Sequence, residues 1–374
     1  MPSPSDSLSA ACQASLRSFF SNDARVLEWG VAPVRPSPNA GLLREWVAQD
    51  RHAGMEFMAA RLNERMDPQV FHPWAESAVV FSFPYGSPLE AGGNHYKVAA
   101  YAKGEDYHKT ARGILRDLET HLRADVSLAA IRFYGLADTA PVFERDLASE
   151  AGLGWRGKNC CTLHRKHGSA FHLGGFFLDV PLEPSVPVED FCGSCTRCID
   201  QCPTEAFLGP GRLDANKCIS YWTIEARGEV PAALSDRFQD RIFGCDICQE
   251  VCPWNHKHIR PHAMRPHFML PDAAAGGESA DSPRVTGAGV AGFPESGAAW
   301  AALLKKGGGF QSRFKRSPLM RAGRRSLLRN LAIAVRNLRD TSVLEPLKAS
   351  LEEETDPVVR MEIERTLAVL EAPE

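Results

Sequence analysis

Cys192, Cys195, Cys198 and Cys202 are spaced C-x-x-C-x-x-C-x-x-x-C and closed by Pro203, the run of thiolates that wraps a [4Fe-4S] cube. Cys245, Cys248 and Cys252 form a second run closed by Pro253, and Cys218 lies between the two. Eight thiols suit two cubes, so the first chemistry expected is electron transfer. Three thiolates two residues apart reach three corners of one cube, while the fourth points away and ligates the other. On that logic, cluster one takes Cys192, Cys195, Cys198 and Cys252, and cluster two takes Cys202, Cys218, Cys245 and Cys248. Paired C-x-x-C elements also build zinc sites, but the threefold run and both Cys-Pro endings exceed that pattern. A disulfide framework is disfavoured too, because the opening MPSPSDSLSAACQASLRSFF has no basic region followed by an apolar one that would direct export.

A second stretch with chemical potential runs from Asp138 through DTAPVFERDLASEAGLGWRGKN to Asn159. Gly152, Gly154 and Gly157 permit close backbone approach, and Arg156 and Lys158 add positive charge, so a phosphate-bearing group could rest here. The stretch is neither a P-loop nor a dinucleotide fingerprint. Cys12, Cys160 and Cys161 fall outside both cluster runs and read as ordinary small residues. His108, His164, His167 and His172 read as loop or core histidines.

These residues must be positioned by a sizeable fold, for 374 residues suit two or three domains. Residues 1–75 read mostly helical, with short strands around Arg25–Val34. Ala78–Phe83, Ser127–Tyr134, Cys161–Leu163 and Ala170–Leu178 read as strands, with a helix over Tyr107–Ala124. Strands alternating with helices imply an α/β layer, within a fold class of α+β or α/β. We divide the chain into an α/β catalytic domain over 1–185, a two-cluster domain of bacterial ferredoxin type over 186–260, a connecting segment over 261–318 and a helical domain over 319–374. Ala273–Gly297 is rich in Ala, Gly and Ser and suits a loop.

In the tail, Leu327, Leu331, Val335 and Leu338, then Leu344, Leu347 and Leu351, then Val359, Ile363, Leu367 and Leu370 recur at helical spacing. Asp356-Pro357 supplies an N-cap and a first-turn proline. Three short amphipathic helices of this kind suggest a HEAT-like pair, either a binding surface or a stabilising cap. The net charge of −3 hides an asymmetry, since Lys305–Arg339 contains basic residues throughout and no Asp or Glu. Such a block suits phosphate. No apolar run approaches the ~20 residues that span a bilayer, and the expected location is cytoplasmic.

The set DTAPVFER, AGLGWRGKN, FCGSCTRCIDQCPTEAF, CISYWTIEARGEVP and FGCDICQEVCPWN resembles the epoxyqueuosine reductase family. The likeness runs from YAKGEDYHK at residue 101 into the tail. It implies two [4Fe-4S] clusters coupled to cobalamin, and removal of an epoxide oxygen from the modified wobble base of a tRNA. It implies an external low-potential electron donor and a monomer without a membrane partner. Asp138, in the family's D-[ST]-A-P motif, is implied as the proton donor to the departing oxygen; the other reading is an N-cap for a helix beginning near Pro141. Burial against a corrin face would raise the pKa of such an acid. Cobalamin contacts implied by position are Arg61, Tyr101, Asp138, Lys158, Ser169, Ser220 and Asp246. EDYHKTARG has an Asp and a His, but its Gly comes too late for the loop that places a histidine beneath cobalt, so none is expected there. The family often lacks cysteine after GKN, whereas Cys160 and Cys161 follow it here. Two other functions use similar parts. A reductive dehalogenase pairs a corrinoid with clusters but usually has an export signal and no need of a basic tail; a plain electron carrier needs far fewer residues.

Overall fold

The computed structural model describes residues 4–85, 96–257 and 293–372. At its centre is a four-stranded sheet of β1 (Glu28–Pro33), β2 (Ser77–Pro84), β3 (Phe133–Leu136) and β4 (Phe171–Leu178), in the order β1-β2-β4-β3. Every residue of β2 is buried, as a central strand covered on both faces requires. Val79, Phe81 and Phe83 point into one core with Leu16 and Phe20 of α1 (Pro4–Asn22) and Ile114, Leu118 and Leu122 of α2 (Tyr107–Arg123). Ala78 and Val80 point the other way, toward Leu147 and Ala148 of α3 (Glu144–Glu150). The period of two thus assigns each helix its face.

All three pairings in this sheet are antiparallel, with Ser77 opposite Leu178 and Glu28 opposite Ser82. This layer is therefore α+β rather than the α/β layer expected from strand–helix alternation, whose strands would run parallel. A short parallel pair, Arg241–Phe243 with Lys97–Val98, lies outside the sheet. The strand expected over Ser127–Tyr134 begins only at Phe133. Asp125 accepts hydrogen bonds from Ser127 N and Oγ, and this Asx turn keeps the first half of the stretch from extending.

The tail helices α5 (Gly323–Leu338), α6 (Leu344–Glu353) and α7 (Pro357–Glu371) follow the apolar periodicity, and Asp356 caps α7 by accepting from Val358 N and Val359 N. They do not stand apart. One core joins Leu331, Val335 and Ile363 to Trp300 of α4 (Gly297–Leu304), to Phe310 and Phe314, and to Tyr96, Val98, Ile242 and Phe243. The connecting segment expected over 261–318 thus contributes core residues from 297 onward, and a boundary at 318 cuts through shared packing. Pro261–Pro271, and Ala273–Gly297 up to residue 292, lie outside the described residues.

Arg329, 1% exposed, donates to the carbonyls of Trp222, Ala226 and Gly228. Asn330 donates to those of Thr223 and Ile242. Carbonyls left over by the irregular cysteine-rich segment are thereby satisfied from α5, as buried acceptors require.

Candidate active site

The seven cysteines of the two runs, and Cys218 between them, are free of disulfides and fall into two neighbourhoods. Cys198 has Cys252, Cys192 and Cys195 as electrostatic neighbours. Cys248 has Cys245 and Cys218, and Cys218 has Cys202. Burial raises the pKa of Cys192, Cys198, Cys218, Cys245 and Cys252. Partly buried thiols grouped in this way suit a thiolate-binding iron core that removes their protons.

Beside the second group opens a cavity of about 950 Å³, near the upper end for small-molecule sites. Its wall includes Tyr101, Tyr107, His108, Asp138, Glu144 and Arg145, and Cys160 borders it. Cys161, the next residue, turns instead toward Cys248. A hairpin explains this proximity: Trp155–Arg156 pairs with Thr162–Leu163, so its turn holds both extra cysteines between thiols and cavity. The hairpin's glycines make their close approaches to protein. A Cβ on Gly154, where φ is +150°, would lie 2.0 Å from Leu163 O, and one on Gly152 2.6 Å from Val186 O.

Asp138 follows β3 with a left-handed φ of +63°, which Asp tolerates better than most side chains. It caps no helix, because α3 starts at Glu144 with Phe143 at the N-cap. Instead Glu144 accepts from Asp138 N at 2.7 Å. The Asp138 carboxylate, 51% exposed toward the cavity, accepts from Tyr107 Oη and lies 3.4 Å from His108 Nε2. His108 Nδ1 is 2.7 Å from Asp106, whose side chain also caps α2. His172, Tyr107 and His108 stack in a column, at 4.4 and 4.2 Å between centroids.

The two carboxyls titrate as a pair. Burial, then the nearby Asp138 charge, pushes Glu144 up to about 8. Burial opposes ionisation of Asp138 as well, yet the hydrogen bonds from His108 and Tyr107 prevail and hold it down, at about 2. Hydrogen bonding to Asp106 and then Asp138 raises His108 to about 9. At neutral pH the protons therefore sit on His108 and Glu144, and Asp138 is the carboxylate between them.

Of the contacts expected from position, Tyr101 and Asp138 lie in the cavity wall and the other five lie outside it. Arg61 pairs with Glu64 and covers Phe71. Lys158 donates to the carbonyls of Gly193 and Cys195, steadying the first cysteine loop. Ser169 bonds Gln249 and Asn255, Asp246 accepts from Ala100 N and Gln249 Nε2, and Ser220 lies on the short helix Ile219–Ile224. Tyr107 is not singled out by the sequence, His108 reads there as a loop or core histidine, and neither Glu144 nor Arg65 is singled out. The signal for the first two was the adjacency of Asp106, Tyr107 and His108 at a helix start, where an N-cap fixes the direction of the first-turn side chains.

Comparisons with known proteins decide the family. Residues 65–139 match the family model described as epoxyqueuosine reductase QueG, DUF1730, and residues 191–255 match that of a 4Fe-4S double cluster binding domain. The epoxyqueuosine reductase of Pseudomonas aeruginosa is 37% identical over 332 residues, covering 86% of this chain and 84% of its own. The chain belongs to the epoxyqueuosine reductase family. A relative from Alicycliphilus denitrificans is 35% identical over 338 residues, covering 86% of this chain and 87% of its own. In fold, the chain matches an epoxyqueuosine reductase crystallised with an epoxyqueuosine-modified tRNA-Tyr stem loop, at a TM-score of 0.76 and 24% identity over 98% of this chain and all of the other. As a family member the protein is an oxidoreductase with two [4Fe-4S] clusters, and the carrier and dehalogenase readings give way. No helix among the described residues is long and apolar enough to cross a membrane.

Proposed function

We propose that this chain reduces epoxyqueuosine to queuosine at the tRNA wobble position, the last step of queuosine synthesis, using cobalamin and its two clusters. One observation carries the reading: the cavity wall holds a hydrogen-bonded Asp138 and also Cys160, an electrostatic neighbour of Cys218 in the second cysteine group. The wall suits a large amide-fringed macrocycle. Leu43, Met55, Phe57, Met58 and Val142 supply apolar surface, and Arg65 Nε is a buried donor with no partner among the described residues. Bound cobalamin, reduced through the clusters, would supply the two electrons with which both carbon–oxygen bonds of the epoxide break and the alkene forms. The chain supplies the proton. Asp138, ionised at rest, would pass to the departing oxygen a proton drawn from His108, with Tyr107 holding the carboxylate in place. Cys192, Cys195, Cys198 and Cys252 would hold one cluster, and Cys202, Cys218, Cys245 and Cys248 the other.

The tRNA face would lie on the tail, whose α5, α6 and α7 we read as a HEAT-like unit. The relative crystallised with a tRNA stem loop supports this substrate. The basic block is more divided than its sequence implies. Arg321 pairs with Glu225, Arg324 and Arg325 with Glu354, and Arg336 with Glu362. Lys305, Lys306, Lys315 and Arg316 are exposed and remain to neutralise phosphate, while one unstacked base enters the cavity. The monomeric state and the external electron donor complete the proposal. The test is anaerobic turnover of epoxyqueuosine tRNA by cobalamin-loaded, iron-replete protein, read as queuosine by nucleoside mass spectrometry. Formation of queuosine that is lost in Asp138→Asn supports the reading, and its absence with the unaltered protein refutes it.

A further inference from the structure

Trp155 is 3% exposed, and its indole Nε1 lies 3.4 Å from Cys192 Sγ. The ring is held edge-on against Phe191 and Trp254, at 5.3 and 5.1 Å between centroids. Trp254 Nε1 is directed elsewhere, to Phe191 O, and Arg165 closes the far face of Phe191. The indole is thus held between two aromatic neighbours, and its one polar hydrogen meets sulfur. At the second group the sulfur partners differ: Cys202 Sγ accepts from Ala206 N at 3.4 Å and lies 3.6 Å from Thr204 Oγ1.

We propose that Trp155 sets the reduction potential of the first cluster by donating its indole N–H to the Cys192 sulfur. The inference rests on Cys192 being a ligand of that cluster. Adding an electron to a cubane increases negative charge on its sulfurs, so a donor aimed at one of them binds the reduced state more strongly than the oxidised state. Removing the donor makes the cluster harder to reduce. Burial of the ring strengthens the effect, because water cannot replace the lost hydrogen. The same hairpin that carries Trp155 brings Cys161 against Cys248 and Cys160 to the cavity. One turn of chain therefore touches both cysteine groups and the cavity.

The test is an EPR-monitored redox titration of full-length, anaerobically prepared protein and of Trp155→Phe, which keeps an aromatic ring but removes the donor. The expected result is unchanged iron content, a first-cluster midpoint shifted to more negative potential and an unmoved second cluster. An unmoved first-cluster midpoint at full iron content overturns the proposal. Should Trp155→Phe fail to hold its cluster, pulsed EPR of the unaltered protein labelled with [15N]indole tryptophan decides. Coupling of an indole nitrogen and its exchangeable proton to the reduced first cluster supports the donor, and its absence overturns it. The ligand reading is tested separately: Cys192→Ala should lose about four of about eight irons, and full retention would remove Cys192 from the cluster whatever Trp155 does.

Discussion

Replacing His108 by Gln removes a cation 3.4 Å from the Asp138 carboxylate while leaving a side chain of similar reach. At that separation and an effective dielectric near 20, the attraction is about 5 kcal/mol. Exposure of Asp138 to the cavity screens this to about 1–2 kcal/mol, roughly one pKa unit of support for the ionised form. His108 itself is protonated until about pH 9, so the unaltered protein should keep its proton supply to that pH and lose it above. In His108→Gln the remaining proton holder is Glu144, near 8. The alkaline limb of the rate profile should move down by about one unit, with a loss near neutrality on the order of tenfold to a hundredfold. Single-turnover conversion of epoxyqueuosine tRNA from about pH 6 to about pH 10 measures both, with iron and cobalamin content as controls. Superimposable profiles for variant and parent would refute the relay and return the proton donor's role to Asp138 alone. Stability should follow the same group with the matching sign. His108 gains a partner on folding, so its contribution is complete below the ordinary value of 6.5 and is lost as pH rises through about 9.

Arg329→Met should destabilise the protein by about 3 kcal/mol in denaturant titration, because it leaves three buried carbonyls unpaired; a change below about 1 kcal/mol would mean that water replaces the guanidinium. Truncation after residue 318 should give insoluble or iron-poor protein, since it removes half of a shared core, and a soluble truncate with about eight irons would show the tail to be dispensable for folding. Charge reversal of Lys305, Lys306, Lys315 and Arg316 should reduce both tRNA affinity and its salt slope in filter binding. Reversal of Arg324 and Arg325 should act mainly on thermal stability through Glu354, and equal effects of the two sets on the salt slope would contradict this division.

What the sequence made legible was local or periodic. The thiol runs announce two clusters because ligand spacing is short-range, and β2, α2 and the tail helices follow from patterns of two and 3.6 residues. Strand direction was not legible: nothing within β2 states that β4, about ninety residues later, returns antiparallel to it. The basic tail misled for a similar reason, because the carboxylates that neutralise Arg321 and Arg324 come from Glu225 and Glu354, outside the acid-free block. Asp138 could be singled out by its motif, but its setting could not. Tyr107 is 31 positions away, and the turn that aims Asp138 at it depends on a φ of +63° that no side-chain pattern encodes.

The grip of α5 on the cysteine-rich segment has a consequence for biogenesis. Arg329 meets the carbonyl of Trp222 across 107 positions, and Asn330 meets those of Thr223 and Ile242 across 107 and 88. Trp222 and Thr223 follow Cys218 closely, and Ile242 precedes Cys245. During translation these cysteines leave the ribosome well before the helix that fixes the backbone around them. The frame of the second iron site closes only after the C-terminal third of the chain has been made. Metallation there is expected to follow synthesis, and a ribosome that stalls between residues 252 and 329 would leave a chain with every thiol present but without the clamp on the backbone beside Cys218 and Cys245.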